Sequence, residues 1–268
     1  MCLFSKSVKK GNERIMNMDR DIIKVFQSEE MVNASDFLYN SAKQIMEKMV
    51  GYKELMMMYA CAIKEVRTKF DVLNTEFNAR YRRNPISTIT TRLKKSSAIA
   101  DKMIKRNIPF TLKNIEENVH DVAGVRVVCP YIDDIYLIAD AFLKQDDITL
   151  ISKKDYIENP KPNGYRSLHL IVIVPVYFAK QKKDMKVEVQ IRTIAMDFWA
   201  SLEHQMKYKQ EIPDQEAISE ELKECAQTIC ETDEKMLGIR KKIEAAADFP
   251  SDDELLFEKF SKLDISFQ

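Results

Sequence analysis

Polar side chains on one predicted strand are the part of the sequence best suited to chemistry. Hydrophobic and polar residues alternate along residues 185–193, MKVEVQIRT, which is the period-2 pattern of a strand with one buried face. The polar face carries Lys186, Glu188, Gln190 and Arg192. Because side chains on one face stand roughly 7 Å apart, these groups could hold a metal-bound polyphosphate beside a nucleophile. The alternation is also typical of a half-solvated strand whose charges face water.

A second carboxylate lies far from Glu188 in the sequence. Asp121 precedes the apolar segment 125–130, VRVVCP, which predicts a short strand. If the two strands are neighbours, Asp121 and Glu188 can share a Mg²⁺ ion, the cation suited to oxygen ligands and nucleotide phosphates. The accompanying basic residues are Arg92, Lys102, Arg126, Lys154, Lys161 and Arg166. Two carboxylates among bases, without a glycine-rich phosphate loop, match what phosphoryl or nucleotidyl transfer from a nucleoside triphosphate requires.

The dipeptide His120-Asp121 resembles part of the metal site of HD-type phosphohydrolases. That site needs additional His and Asp ligands. The chain has only three histidines, His120, His169 and His204. We therefore do not expect hydrolase chemistry from this dipeptide.

The composition argues against several classes of protein. Lys and Arg together number 42, as do Asp and Glu, so no net charge draws the whole chain to nucleic acid or to a membrane. The longest apolar run, residues 170–179, is too short for a membrane span and contains a proline. Five cysteines without a C-x-x-C pair argue against a disulfide framework or structural zinc. With no apolar secretory segment near its first residue, the chain is expected to be cytoplasmic.

Apolar residues at helical spacing predict the helices. The spacing is sustained over residues 35–78, with a break expected near Gly51. Other predicted helices cover residues 111–119, 131–144, 194–209 and 214–246.

One further helix is predicted over residues 87–107, with Ser87 or Thr88 as its N-cap. At about 100° per residue, Arg92 and Lys102 share one flank of this helix. A basic flank can bind phosphate, although most such flanks simply face water.

Period-2 patterns predict the sheet. The segments with this pattern or with short apolar runs are 125–130, 149–157, 168–176 and 185–193. Because the connections between the last three are short, those neighbouring strands should be antiparallel. The expected fold class is α/β (α+β), with a mixed five-stranded sheet flanked by helices and helical additions at both ends. The loop 159–167 is rich in turn formers, and its Tyr165 can stack on a nucleobase or cap the core.

Several motifs in register resemble the alarmone synthetases of the RelA/SpoT homologue family. They are HDVAGVRVV, KPNGYRSLH, VEVQIRT and WASLEHQMKYK, and the resemblance covers about residues 35–246. The chain is most similar in outline to the small single-domain members, especially the RelQ type, which have no hydrolase domain. The resemblance implies a nucleotidyltransferase-like fold and GTP diphosphokinase activity. That activity transfers the β,γ-pyrophosphate of ATP to the 3′-hydroxyl of GDP or GTP, giving ppGpp or pppGpp and AMP.

The resemblance also implies which residues serve the ATP side of the reaction. Asp121 and Glu188 match the family's Mg²⁺ ligands, and Glu188 also matches the base for the 3′-hydroxyl. Arg92 and Arg126 match the pair that sandwiches adenine, while Lys102 matches a lysine on the ATP phosphates. Flat guanidinium planes are suited to stacking on a base.

The remaining matched positions belong to the GDP or GTP acceptor. Tyr165 matches the guanine-stacking tyrosine, and Asp197 is placed to accept hydrogen bonds from guanine. Positions that match the lining of the acceptor's phosphates or lie beside the acceptor are Lys154, Lys161, His169 and Gln190. Thr91 stands where relatives often have a glycine, a change that a helix should accept easily.

Three regions are expected. Residues 1–33 form an N-terminal extension, 34–210 the (p)ppGpp synthetase domain, and 211–268 a C-terminal helix and tail that serve in oligomerisation. By resemblance to RelQ-type relatives we expect a homotetramer, with allosteric activation by pppGpp as a further expectation. Thr88 stands where such a relative has a phenylalanine that lines the activation site.

Other functions fit parts of the sequence. The basic linker RYRRNP at 80–85, together with Tyr165, fits a catalytically inactive relative that binds nucleotide or single-stranded RNA. The long helical segments fit a scaffold. A transferase that moves AMP would share the carboxylates and bases but release pyrophosphate instead of AMP.

Overall fold

The computed structural model describes residues 29–81, 83–207 and 215–246. The chain divides into two units, residues 1–54 and residues 55–268. The helices are α1 (Glu29–Tyr81), α2 (Ser96–Lys105), α3 (Leu112–Asn118), α4 (Ile132–Leu143), α5 (Ile194–Lys207) and α6 (Gln215–Ala246). The strands are β1 (Thr88–Leu93), β2 (Ala123–Cys129), β3 (Thr149–Asp155), β4 (Leu168–Tyr177) and β5 (Lys182–Thr193).

The five strands form one mixed sheet in the order β1-β2-β5-β4-β3. Strands β2 and β5 are parallel, and every other neighbouring pair is antiparallel. The mixed five-stranded sheet, the antiparallel pairs on either side of β4, and the adjacency of β2 and β5 are therefore confirmed. This adjacency brings the polypeptide near Asp121 next to the strand of Glu188.

The two central strands explain why one face of the sheet is buried and the other polar. Burial alternates along β4 and along most of β5, so that Leu170, Val172, Val187 and Val189 are fully buried. This alternation is the property that the period-2 pattern predicts. Helix α4 also belongs to the core, and its Phe142 stacks on Phe70 with ring centroids 4.4 Å apart. The opposite face is left for the polar side chains.

The helix predicted over residues 87–107 is wrong. Residues 88–93 form β1, which pairs with β2 through six residue pairs, and a helix, α2, begins only at Ser96. The segment TITTRL is rich in β-branched residues, which favour strands when a partner strand is present. Arg92 and Thr91 therefore lie on a strand and share no helical flank with Lys102, and the expectation that a helix accommodates Thr91 is wrong for the same reason.

The predicted break near Gly51 is also wrong, because α1 continues through it. One glycine costs a helix only about 1 kcal/mol, which a helix of 53 residues tolerates. The other predicted helices are confirmed within one or two residues, except that residues 208–209 lie outside the described part. Most of the extension 1–33, Arg82 of the basic linker and the tail 247–268 also lie outside it. None of the helices in the described ranges has the length and apolar character needed to cross a membrane.

Candidate active site

Two rows of residues cross the polar face of the sheet, and six of the predicted site residues lie in them. The paired positions of the first row are Thr90, Arg126, Gln190, His169 and Lys154. Those of the second row are Arg92, Gly124, Glu188, Ile171 and Ser152. Because paired residues in a sheet point to the same face, strand pairing alone gathers these side chains from all five strands.

Two cavities lie over these rows, and both are lined by Asp121 and Glu188. The first has a volume of about 320 Å³ and is lined by Arg92 and Arg126 as well. The second, about 450 Å³, is also lined by Lys102, Lys154, Lys161 and His169. The two predicted adenine-binding arginines and three of the predicted acceptor residues, Lys154, Lys161 and His169, thus line different cavities, and the two carboxylates line both. Gly124 lies between Arg92 and Glu188 in its row, and its lack of a side chain leaves space in the first cavity.

Two lysines hold Asp121. Lys94 and Lys102 donate to its two carboxylate oxygens, with distances of 2.9 and 2.7 Å. Burial raises the pKa of Asp121, but the hydrogen bonds from the two lysines outweigh burial and hold this pKa below its ordinary value. The carboxylate is therefore ionised at neutral pH and available to a cation.

A chain of polar contacts orients Glu188. Gln190 Nε2 donates to Glu188 Oε2 at 3.0 Å, and Arg192 Nη2 donates to Gln190 Oε1 at 2.6 Å. On the other side His169 Nδ1 lies 3.6 Å from Glu188 Oε1. Burial raises the pKa of Glu188, but its contacts with His169 and Gln190 bring the pKa below its ordinary value. Glu188 is thus a fixed, ionised carboxylate at the boundary of the two cavities.

The loop between β3 and β4 supplies the aromatic side of the second cavity. Lys161 Nζ lies 4.7 Å from the ring centroid of Tyr156 and 4.6 Å from that of Tyr165. The hydroxyl of Tyr165 lies 2.8 Å from Nε2 of His169, which in turn faces Glu188. Burial raises the pKa of Tyr165, so its phenol remains neutral. Tyr165 is therefore linked to Glu188 through one histidine.

The sequence that forms this site matches a known protein family. The family described as the region found in RelA/SpoT proteins matches residues 91–213. Over 204 residues the chain is 42% identical to the GTP pyrophosphokinase YwaC of Bacillus subtilis (strain 168), and the match covers 75% of this chain and 95% of YwaC. The chain belongs to the RelA/SpoT family.

Solved structures of this family share the fold. The small alarmone synthetase 2 of Bacillus subtilis matches with a TM-score of 0.64 and 41% identity, covering 71% of this chain and 98% of that one. The small alarmone synthetase 1 of the same organism, bound to its product pppGpp, matches with a TM-score of 0.66 and 32% identity, covering 72% and 98%. Its complex with AMPCPP matches with a TM-score of 0.61 and 31% identity, covering 73% and 99%. The alarmone synthetase fold expected from the sequence is confirmed.

Five of the predicted residues are placed differently from the rest. Gln190, matched to the acceptor, lines the first cavity beside the two arginines, and Tyr165 lines neither cavity. Asp197 lies in α5, where its carboxylate contacts Arg126 at 3.3 Å and Arg192 at 3.4 Å. Lys102 lines the second cavity rather than the cavity of the two arginines. Arg166, singled out as one of the bases, donates to Gln227 of α6 at 3.3 Å and lines neither of the two cavities.

Two basic residues of the site, Lys94 and Arg192, had no individual role predicted for them from the sequence. Lys94 binds Asp121 but was hidden by the wrong helix, which gave it no relation to the carboxylate. The side chain of Arg192 is 3% exposed and lies 5.7 Å from the Tyr165 ring, and it contacts both Gln190 and Asp197. Its place on the polar face of residues 185–193 was a signal that could have identified it. Burial lowers the pKa of Arg192, yet a guanidinium stays charged at neutral pH.

Metal binding would fall to the carboxylate pair. Within the described ranges no group of three or more His, Cys, Asp or Glu side chains could hold a metal ion. Asp121 and Glu188, which line both cavities, would supply the carboxylate oxygens. Two carboxylates with the remaining ligands from phosphates and water are a typical environment for Mg²⁺.

Proposed function

We propose that this protein is a GTP pyrophosphokinase that transfers the β,γ-pyrophosphate of ATP to the 3′-hydroxyl of GDP or GTP. The products are ppGpp or pppGpp together with AMP, and we propose that the reaction takes place in the cytoplasm. The observation that carries the proposal is the meeting of two cavities at Asp121 and Glu188, in a chain 42% identical to a GTP pyrophosphokinase. A two-substrate transfer needs this arrangement, with one site for the donor and one for the acceptor.

ATP is assigned to the first cavity. Arg92 and Arg126 stand on neighbouring strands, two residues apart in register, so their guanidinium planes can take adenine between them. The phosphates then extend toward Asp121, where Lys94 and Lys102 supply positive charge. Fixed ammonium groups stabilise the charge that develops on a transferring pyrophosphoryl group.

Asp121 and Glu188 would hold Mg²⁺. The residues fit this ion because both carboxylates are ionised, partly buried and next to the space assigned to the phosphates. When bound, the ion neutralises phosphate charge and orients the pyrophosphoryl group for in-line attack. Lys94 and Lys102 keep Asp121 in place through its two oxygens, each of which retains a further lone pair for a cation.

GDP or GTP is assigned to the second cavity. Lys154, Lys161 and His169 line this cavity and would face the acceptor's phosphates. Tyr165 contacts the ring of His169 and would stack on guanine, and Asp197 would accept from the guanine edge. Arg192 supports this role for Asp197, because it contacts Asp197 and the ring of Tyr165 at once. Gln190 lines the first cavity and would act on the acceptor's side through its hydrogen bond to Glu188, which lines both cavities.

Glu188 is the base of the reaction. As the acceptor's O3′ forms a bond with the β-phosphorus of ATP, its proton passes to the Glu188 carboxylate. The bond from the β-phosphorus to the oxygen shared with the α-phosphate breaks, and AMP leaves with that oxygen. His169 and Gln190 hold the Glu188 carboxylate in one orientation throughout.

We further propose that the protein is a homotetramer and that residues 211–268 contribute to its assembly. Helix α6 supports this role, since Met236, Ile239 and Ile243 follow one another at three- and four-residue spacing and are each about half exposed or more. The extension 1–33 and a synthetase domain over 34–210 complete the proposed organisation. Light scattering of the purified protein measures the oligomeric state, and a monomer at micromolar concentration contradicts the tetramer.

The RNA-binding alternative is not favoured by the structure of the basic linker. Arg80 pairs with Glu76, and Arg83 pairs with the fully buried Asp134. The linker therefore offers less free charge to a nucleic acid than its sequence suggests.

A product assay tests the proposed function. The purified protein is incubated with Mg²⁺ and ATP, and with GDP, GTP or GMP in turn, with and without added pppGpp. We expect AMP and a 3′-pyrophosphorylated guanine nucleotide in equal amounts, and a faster rate with pppGpp if the allosteric expectation holds. Release of pyrophosphate instead of AMP supports the nucleotidyl-transfer alternative, and binding without any product supports a catalytically inactive relative.

A further inference from the structure

The loop between β3 and β4, residues 156–167, makes an unusually close contact with the last helix, α6. We call it the acceptor loop. Gly164 has φ +87°, and a Cβ built on it would lie 2.6 Å from the Cβ of Ala226 and 3.2 Å from the Cα of Lys223. Real Cβ atoms essentially never approach so closely, so the backbone of the loop touches the helix only because residue 164 has no side chain. Ala226 is 4% exposed, which shows that the contact is tight on the helix side as well.

The loop at this contact is a compact turn whose parts move together. Gly164 N donates to Lys161 O at 2.8 Å, and Lys161 N donates to Tyr165 O at 3.2 Å. Asn163 Nδ2 donates to Glu203 of α5 at 3.0 Å. A shift of Gly164 should therefore shift both Lys161, which lines the second cavity, and Tyr165, which contacts the His169 ring.

Helix α6 is itself fixed against the site. Trp199 Nε1 donates to Leu222 O at 2.8 Å, and Trp199, Ala200 and Ala226 form a buried cluster against which Tyr165 packs. Two turns further along, Asp233 accepts from the buried Thr193 hydroxyl at 2.5 Å, at the end of strand β5. The helix is thus anchored to the strand that carries Glu188, and it can serve as a fixed support for the loop.

We propose that Ala226 is a positioning residue for the acceptor nucleotide, because its contact with Gly164 sets the placement of Tyr165 and Lys161. This inference rests on the proposed function for the assignment of the loop to GDP or GTP. Larger side chains at position 226 have no other space to occupy. The cavity beside position 226, which Gly164, Trp199 and Ala226 line, has a volume of about 10 Å³, no more than a single water molecule needs.

The variants Ala226→Leu and Ala226→Gly test the proposal, with Ala245→Leu and Ala245→Gly as matched controls on an exposed part of the same helix. Ala226→Leu is expected to raise the KM for GDP by about ten- to a hundredfold, the loss that a displacement of about 1 Å can cause. The KM for ATP stays within about twofold of the original protein, since the first cavity does not touch the loop. Ala226→Gly and both controls keep the KM values for GDP and ATP.

A binding measurement without turnover separates this inference from the proposed function. Trp199 is the only tryptophan and packs in the cluster with Tyr165, so its fluorescence should change when GDP binds. We expect the midpoint of this titration to move to higher GDP concentration in Ala226→Leu but not in Ala245→Leu. If the original protein binds GDP but makes no product, the proposed function fails while the positioning role can still be measured.

Several outcomes would overturn the positioning role. Equal KM values for GDP in Ala226→Leu and the original protein would do so, as would equal increases in the KM for GDP and for ATP, which indicate general damage. If Ala226→Leu does not fold, Gly164→Ala tests the same contact from the loop side. An unchanged KM for GDP in Gly164→Ala would then refute the proposal.

Discussion

Replacing Glu188 by glutamine removes the proposed base while preserving its shape. The amide oxygen of Glu188→Gln can still accept from Gln190, whose Nε2 lies 3.0 Å from the present carboxylate, so the strand and its neighbours need not move. A positioned general base contributes about 10²–10⁴-fold to rate. At about 1.36 kcal/mol for each tenfold change, this is about 2.7–5.4 kcal/mol of transition-state stabilisation. Loss of a charged metal ligand adds to this, so we expect kcat to fall at least about 100-fold.

The assay follows AMP formation with saturating ATP and GDP and compares the KM for GDP between the two proteins. Glu116→Gln is the matched control, because Glu116 is a partly buried carboxylate paired with Lys183 and lines neither cavity. We expect Glu116→Gln to keep its kcat, and Glu188→Gln to keep its GDP affinity by Trp199 fluorescence. A kcat within tenfold of the original protein for Glu188→Gln would refute the role of Glu188 as base.

Three further predictions concern other parts of the molecule. Gly124→Val places a side chain in the first cavity, so we expect the KM for ATP in initial-rate kinetics to rise about tenfold or more, with the KM for GDP unchanged. A raised KM for GDP with an unchanged KM for ATP contradicts the assignment of ATP to the first cavity. Asp121 has a lowered pKa, so its stabilisation is complete above the ordinary value of 3.8 and is lost as pH falls through the lowered pKa. In thermal unfolding, Asp121→Asn should therefore be less stable than the original protein at pH 7 and should lose less stability between pH 5 and pH 3. If the stabilities of the two proteins fall in parallel with pH, the ion pairs of Asp121 with the lysines do not stabilise the fold. Arg240→Met removes one of the two arginines near the fully buried Asp134. We expect the free energy of unfolding, measured in urea, to fall by about 3 kcal/mol, with unchanged KM values. A fall of less than about 1 kcal/mol contradicts a stabilising role for this ionic cluster.

The polar row on β5 was predictable because it depends only on local alternation. Residues 185–193 alternate between buried and polar positions, and a strand is the regular structure that separates such residues onto two faces. The motifs around Asp121, Tyr165 and Glu188 identified the family because they occur together and in order. These features depend on residue types and spacing, which the sequence contains in full.

The parts that could not be predicted depend on contacts between distant segments. Residues 88–93 fit both a helix and a strand, and only pairing with β2 decides between them. The junction of two cavities at Asp121 and Glu188 depends on the order of strands in the sheet. Helical periodicity identified α6, but the contact of Ala226 with Gly164 depends on how the helix docks, which no local pattern records.

We propose above all that Asp121 and Glu188 together bind one cation between the ATP site and the GDP or GTP site. The most direct test is a crystal structure with a non-hydrolysable ATP analogue and Mn²⁺ in place of Mg²⁺, with data collected at the manganese absorption edge. We expect one anomalous peak bonded to oxygens of both carboxylates, at close to the distance of about 2.1 Å that suits Mg²⁺. A peak held by only one of the two carboxylates, or an ATP analogue bound elsewhere without any such peak, would contradict it.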